Sequence, residues 1–243
     1  MKILLEGESV CKNFGGVNAL KNMDFSVEEK SVTGLIGPNG SGKTTLFNVI
    51  TGFYKPDKGK IFFNNEEITG LKPHKIRHKG VARTFQVPKP LLNMRVLDNL
   101  LAGALYAGKK WSTDEAESKA AELLELLGLN QKKYVLVKNL NVFEKKLVEF
   151  GRALVGEPKI ILLDELLAGL NPREVDNMLL LIRDLHQKLG LTIFMVEHVM
   201  RAIMRLCDKI IVIHHGEKIA AGKPNEVQAD PKVIEVYLGT KMV

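Results

Sequence analysis

Cysteine is scarce in this chain: Cys11 and Cys207 are the only two in 243 residues, and they stand in unrelated contexts. That leaves neither a disulfide framework nor a zinc site to organise the fold. Long hydrophobic runs are missing too. The longest, such as 159–163 and 191–196, are strand-sized, far short of the ~20 residues that cross a bilayer. The opening Met1-Lys2-Ile3-Leu4-Leu5-Glu6 lacks the apolar core and cleavage site of a signal peptide. Together these absences point to a cytosolic chain. The formal net charge of +7 raises the question of nucleic acid. Yet the lysines are scattered, the pairs at 109–110, 132–133 and 145–146 are broken by acids, and no basic stripe carries interleaved aromatics. Nucleic acid is therefore not an expected partner. A modest positive balance equally suits a protein working beside an anionic membrane face.

What the chain does have is concentrated in residues 37–44, Gly-Pro-Asn-Gly-Ser-Gly-Lys-Thr, which fit the G-x-x-x-x-G-K-[ST] phosphate-binding loop. Residues 32–36 read as a short buried strand and 44–50 as the first turns of a helix, the context the motif requires. Glycines at 37, 40 and 42 allow a tight turn whose N–H groups point inward as an anion nest. The helix behind adds the positive end of its dipole. Lys43 brings a point charge to the β- and γ-phosphates, and the Thr44 hydroxyl is placed to ligate magnesium. The candidate ATP cradle is thus Gly37, Pro38, Asn39, Gly40, Ser41, Gly42, Lys43, Thr44 and Thr45. A second element, Ile160-Ile161-Leu162-Leu163-Asp164-Glu165, reads as an apolar strand ending in two acids. Asp164 there suits magnesium, and Glu165 suits a general base acting on water.

Around these elements the pattern changes twice. Residues 1–70 read as strands and turns, with a turn at 55–59, a strand at 60–63 and a turn at Asn64-Asn65. Helical periodicity follows over 96–106, then from a capping box at Ser112-Thr113-Asp114-Glu115 with Ala116, Ala120, Leu123, Leu124 and Leu127 on one face, then over 143–155. Strands return at 159–163, 192–196 and 209–213, separated by a helix with Val175, Met178, Leu179, Ile182, Leu185 and Leu189 on its apolar face. The expected fold is α/β, a mostly parallel sheet core with an N-terminal antiparallel β subdomain and a helical insertion. The expected domain is a single one over 1–243, with 1–86 and 151–243 as its ATP-binding core and 87–150 as the helical part.

On these motifs in this order the chain resembles the ATP-binding cassette family, the P-loop NTPase subunits of ABC transporters, over nearly all its length. By that resemblance Gln86, in Arg83-Thr84-Phe85-Gln86, matches the Q-loop glutamine that joins the magnesium shell and relays to membrane subunits. His198 matches the switch histidine at the γ-phosphate, and Phe14 matches the aromatic that stacks on adenine. Residues 168–172, Ala-Gly-Leu-Asn-Pro, match the D-loop at the dimer interface. The segments 49–53, 83–86, 167–172 and 236–239 look like the ATPase of branched-chain amino acid importers, and partly like cassettes serving urea, amides or lipopolysaccharide export. The resemblance implies ATP and Mg2+ as cofactors and ATP hydrolysis coupled to transport. It also implies integral membrane permeases, a periplasmic-type solute-binding protein acting indirectly, and a location on the cytoplasmic face of the cell membrane.

One stretch departs from the family. Its signature, Leu-Ser-Gly-Gly-Gln, opens a helix aimed at the nucleotide of the opposite subunit; the aligned residues here are Leu140 followed by Asn141, Val142, Phe143 and Glu144. Asn141 can cap a helix. Phe143 replaces a glycine that lets backbone approach phosphate, and Glu144 adds a charge of the wrong sign. Leu166, after Glu165, stands where the family usually has proline. A self-paired chain would carry two defective signatures, so a heterodimer with a second ATP-binding subunit is favoured over a homodimer. The alternative is a nucleotide-gated binding module with little turnover. His214 and His215, adjacent at a hairpin, point to opposite faces and do not readily ligate one metal, and His74/His78, at helical spacing, have no third ligand.

Overall fold

In the computed structural model, residues 2–109 and 111–238 are described. Met1, Lys110 and the Gly239 that closes the 236–239 segment lie outside them. The chain divides into two compact units, Met1–Ile76 with Thr192–Val243, and Arg77–Leu191.

The first unit opens with β1 (Ile3–Phe14) and β2 (Val17–Glu28), an antiparallel ribbon that reverses at Gly15, φ 56. Leu20, Met23, Phe25 and Val27 on β2 are buried. The fully buried β3 (Val32–Ile36) leads to α1 (Lys43–Ile50). β4 (Lys58–Phe63) then pairs with β1 on the side away from β2, and β5 (Glu66–Glu67) follows on β4. β4 starts two residues before the strand expected from sequence. Gly59 adopts φ 83 within it, opposite a register shift in β1, so the turn residue is absorbed as a bulge. A short α2 (Pro73–His78) runs across the boundary between units.

The second unit carries β6 (Val81–Arg83), α3 (Val96–Leu105), α4 (Thr113–Leu126), α5 (Val142–Leu154), β7 (Ile160–Asp164) and α6 (Pro172–Leu189). β6 and β7 pair in parallel with Arg83 opposite Leu162. α3 packs on both α4 and α5. The Ser112–Glu115 capping box forms as the sequence implies, with Glu115 N–H on Ser112 Oγ at 3.2 Å and Ser112 N–H on the Glu115 carboxylate at 2.7 Å. Ala116, Ala120, Leu123, Leu124 and Leu127 are buried together. On α6 the buried stripe is Met178, Leu179, Ile182 and Leu185; Leu189, in the last turn before left-handed Gly190, is instead exposed.

The chain then returns to the first unit through β8 (Thr192–Val196), α7 (Met200–Leu206), β9 (Lys209–His214), β10 (Glu217–Gly222), α8 (Pro224–Gln228) and α9 (Pro231–Leu238). β8 and β9 flank β3 in parallel, and β10 closes on β9 as an antiparallel hairpin. Strands buried on both faces read as continuous apolar runs, which is why β3, β8 and β9 were legible. Phe194 on β8 anchors this layer, with its ring centroid 5.1 Å from Phe47 and 6.0 Å from Phe25. Gly34 lets side chains pack close to β3: a Cβ on it would sit 2.9 Å from Cys207 Sγ and 3.3 Å from Ile203 Cδ1.

Candidate functional site

The phosphate loop sits in the first unit, between β3 and α1. Gly40 and Gly42 take φ of 76 and 110, open only to glycine without strain. A Cβ on Gly37 would strike the Ile213 carbonyl and lie 2.7 Å from Ser41 Oγ, while one on Gly42 would lie 2.5 Å from the Ala19 carbonyl. Backbone therefore packs against backbone on the inner side of the loop, leaving the outer side for a ligand. Gly42 is the N-cap of α1; no side chain caps that end, and its first turn holds no acid. Lys43 is buried, and its Nζ donates to the carbonyls of Gly37 and Pro38, both at 2.8 Å. The β9–β10 turn braces the loop, with Gly216 N–H on the Ser41 carbonyl at 2.9 Å. Asn39, Gly40 and Thr44 are exposed, Pro38 and Thr45 half-buried. A glycine-walled cradle, an uncapped helix start and a lysine folded over it fit a nucleotide's phosphates.

Phe14, at the end of β1, is 41% exposed and meets Tyr54 edge-on at 5.1 Å, with Lys12 Nζ 5.5 Å from its ring. It is a surface aromatic rather than a core filler. His198 is exposed, just beyond β8 and the buried Glu197. The hairpin histidines His214 and His215 lie with ring centroids 4.0 Å apart and tilted by 47°, and desolvation, with the neighbouring His215, pushes the His214 imidazole below its ordinary pKa. Among the described residues no cluster of three or more His, Cys, Asp or Glu could hold a metal ion.

The second unit brings together Gln86, Asp164 and Glu165. Asp164 ends β7, buried at 1% exposure, and Glu165 follows with φ 50. A non-glycine residue in the left-handed region costs roughly 1–2 kcal/mol and marks a place where the fold holds a side chain against its preference. Gln86 Nε2 donates to Glu165 Oε2 at 2.7 Å, so the two catalytic candidates meet directly. Three charged residues that the sequence reading passed over support them. Arg83 pairs with Asp164. Lys146, buried on α5, donates to the Leu166 carbonyl at 2.9 Å. Glu149, also buried on α5, accepts from Phe85 N–H at 3.0 Å, and burial pushes its carboxyl above the usual range. The signal was available: Lys146 and Glu149 interrupt the apolar face shared by Leu147, Val148 and Phe150.

The signature stretch is built differently from its expected role. Asn141 caps α5, its Oδ1 accepting from Glu144 N–H at 2.9 Å, and the Glu144 carboxylate returns to Asn141 N–H at 3.1 Å. The same carboxylate pairs with Lys132. Glu144 is therefore not a bare charge facing outward: it satisfies this chain's own helix start. Val142 is exposed and Phe143 half-buried. Asn171 caps α6 in the same way with Glu174, following the D-loop.

A phosphate loop before a helix in a parallel α/β layer, with an acid pair ending a second strand, defines a P-loop nucleotide hydrolase. The ABC transporter family model matches residues 20–168, and a branched-chain amino acid ATP-binding cassette transporter model matches 217–242. The chain belongs to the ABC transporter family. It is 39% identical to the probable branched-chain amino acid transport ATP-binding protein LivG of Archaeoglobus fulgidus, over 99% of this chain and 97% of that protein. Identity to the high-affinity branched-chain amino acid transport ATP-binding protein BraF of Pseudomonas aeruginosa is 38%, over 97% and 98% of the two. Among solved structures it is similar to the ADP conformation of an ATP-binding cassette of an ABC transporter, with a TM-score of 0.90, 39% identity, and coverage of 99% of this chain and 100% of that one. No helix among the described residues is long and apolar enough to cross a membrane.

Proposed function

We propose that this chain is the ATP-hydrolysing subunit of an importer for branched-chain amino acids. It works on the cytoplasmic face of the membrane, bound to permease subunits that receive solute from a periplasmic-type binding protein. The observation that carries the reading is end-to-end similarity to relatives named for that transport, including the C-terminal match at 217–242. In this reading 1–243 form one cassette domain in which 87–150 are the helical part.

Lys43 and the loop N–H groups bind the phosphates, and Phe14 stacks on the adenine. Thr44, Gln86 and Asp164 supply oxygen donors of the kind magnesium takes when phosphates complete its shell. Magnesium, when bound, neutralises charge developing on the transferred phosphoryl group. Glu165 takes a proton from water, held in place by Gln86, and His198 contacts the γ-phosphate. The self-capped α5 favours a heterodimer, because Asn141 N–H already has an anion and Phe143 keeps backbone away from a phosphate. A partner with an intact signature then completes the site that uses this chain's Lys43 and Glu165.

The test is leucine uptake into cells whose copy of this gene is deleted and then restored. Restoration by the wild type and not by Glu165→Gln supports the reading. Unchanged uptake on deletion, with phosphate release by the purified complex insensitive to branched-chain amino acids, would discard the substrate while leaving the ATPase intact.

A further inference from the structure

Phe14, the aromatic assigned to the base, does not hold its orientation alone. Tyr54 meets it edge-on, with ring centroids 5.1 Å apart and planes inclined by 73°, and the two residues are 41% and 40% exposed. Tyr54 belongs to the segment between α1 and β4. Its N–H bonds the Asn48 carbonyl in the last turn of α1 at 3.1 Å, and Phe53 N–H bonds the same carbonyl at 2.9 Å. Three residues on, Asp57 ties this segment to the end of β1. Its N–H donates to the Cys11 carbonyl at 2.8 Å, and its carboxylate accepts from Asn13 N–H at 2.6 Å and from Lys12 Nζ at 2.9 Å. Lys12 Nζ in turn lies 5.5 Å from the centre of the Phe14 ring. All of these residues fall in the first unit, together with the phosphate loop. Two half-exposed rings tied down from both sides make an apolar surface of the kind a ligand completes.

Resting on the reading of Phe14 as the partner of adenine, we propose that Tyr54 is a positioning residue: it fixes the plane of the Phe14 ring so that a purine base can stack on it, while Asp57 holds the Tyr54 segment against β1. A ring already held parallel to the base binds it better, because a ring that must first be ordered gives up rotamer freedom on binding. An edge-on neighbour restrains Phe14 and leaves ring surface open for an offset stack. α1 begins at the phosphate loop, and Tyr54 hangs from its last turn. One element thus sets where the phosphates lie and where the base lies. The ring edge is what acts, so phenylalanine serves in place of tyrosine.

The experiment is calorimetric titration of the full chain, in the presence of Mg2+, with ATP and with inorganic tripolyphosphate, which has the phosphates but no base. Tyr54→Ala is expected to weaken ATP binding about fivefold and to leave tripolyphosphate binding as it was. Tyr54→Phe keeps wild-type affinity for both. Tyr54→Leu, which keeps bulk without an aromatic edge, follows Tyr54→Ala and decides the matter should the alanine variant fail to fold. Unchanged ATP affinity in these variants overturns the proposal. So does a parallel loss for tripolyphosphate, which marks a merely structural role. Phe14→Ala separates the proposal from the reading beneath it. A loss of ATP affinity there with none at Tyr54 overturns the positioning role alone, whereas ATP affinity indifferent to Phe14→Ala sinks the stacking reading and the proposal with it.

Discussion

The ammonium of Lys43 rests on two carbonyl oxygens, those of Gly37 and Pro38, each 2.8 Å away. Carbonyls are weaker partners for a cation than phosphate oxygens, so the group is poised to exchange them. Lys43→Ala is expected to weaken ATP binding by about 2 kcal/mol, roughly thirtyfold in Kd, in calorimetric titration. Glu165→Gln should leave that Kd unchanged while lowering phosphate release by about a hundredfold or more. A variant that loses affinity and turnover together would place Glu165 in binding instead of chemistry. Lys43 was legible because its neighbours in sequence are its neighbours in space. Arg83 was not: its partner is 81 residues away, and only the parallel register of β6 and β7 brings the two together.

Helices of the second unit were readable from spacing and caps, since both are properties of ten to fifteen consecutive residues. The start of α5 shows the limit. Asn141 followed three residues later by Glu144 is a capping box in sequence, whereas the resemblance to the family's signature sets Glu144 against a phosphate. Geometry assigns the carboxylate to Asn141 N–H and Lys132. Asn141→Ala should cost about 1 kcal/mol in thermal unfolding. Glu144→Gln, which preserves the reciprocal bond, should cost less, because the exposed Lys132 pair contributes little. Combined with Phe143→Gly it is expected to raise turnover when the chain is paired with the second ATP-binding subunit proposed for it. If the unmodified chain alone hydrolyses ATP as fast as that double variant, the α5 start does not limit catalysis.

For the molecule as a whole, stability carries the imprint of the buried Glu149. Desolvation is the main cause of its raised pKa, opposed by Phe85 N–H and by the charges of Arg152 and Lys146. A carboxyl with a folded pKa above its ordinary 4.5 favours the folded state when protonated. Its contribution therefore grows as pH falls through the raised pKa towards 4.5 and levels below it. Melting temperatures across that range should show wild type gaining on Glu149→Gln as pH falls; a constant difference would mean the group stays ionised. Burial likewise pushes the Cys207 thiol up to about 12, so native protein should react with thiol reagents at Cys11 first and at Cys207 only on unfolding.

By itself the sequence determined the cradle and the helix periods, because a glycine loop, a lysine at its end and an apolar stripe are written in adjacent residues. It also determined the family, through the order of those motifs. Tertiary structure alone decided which charges meet: Arg83 with Asp164, Lys146 with the Leu166 carbonyl, Glu149 with Phe85 N–H, Gln86 with Glu165. Buried charge is tolerated only where a partner is within bonding distance, and that distance is set by strand register and helix packing rather than by position along the chain.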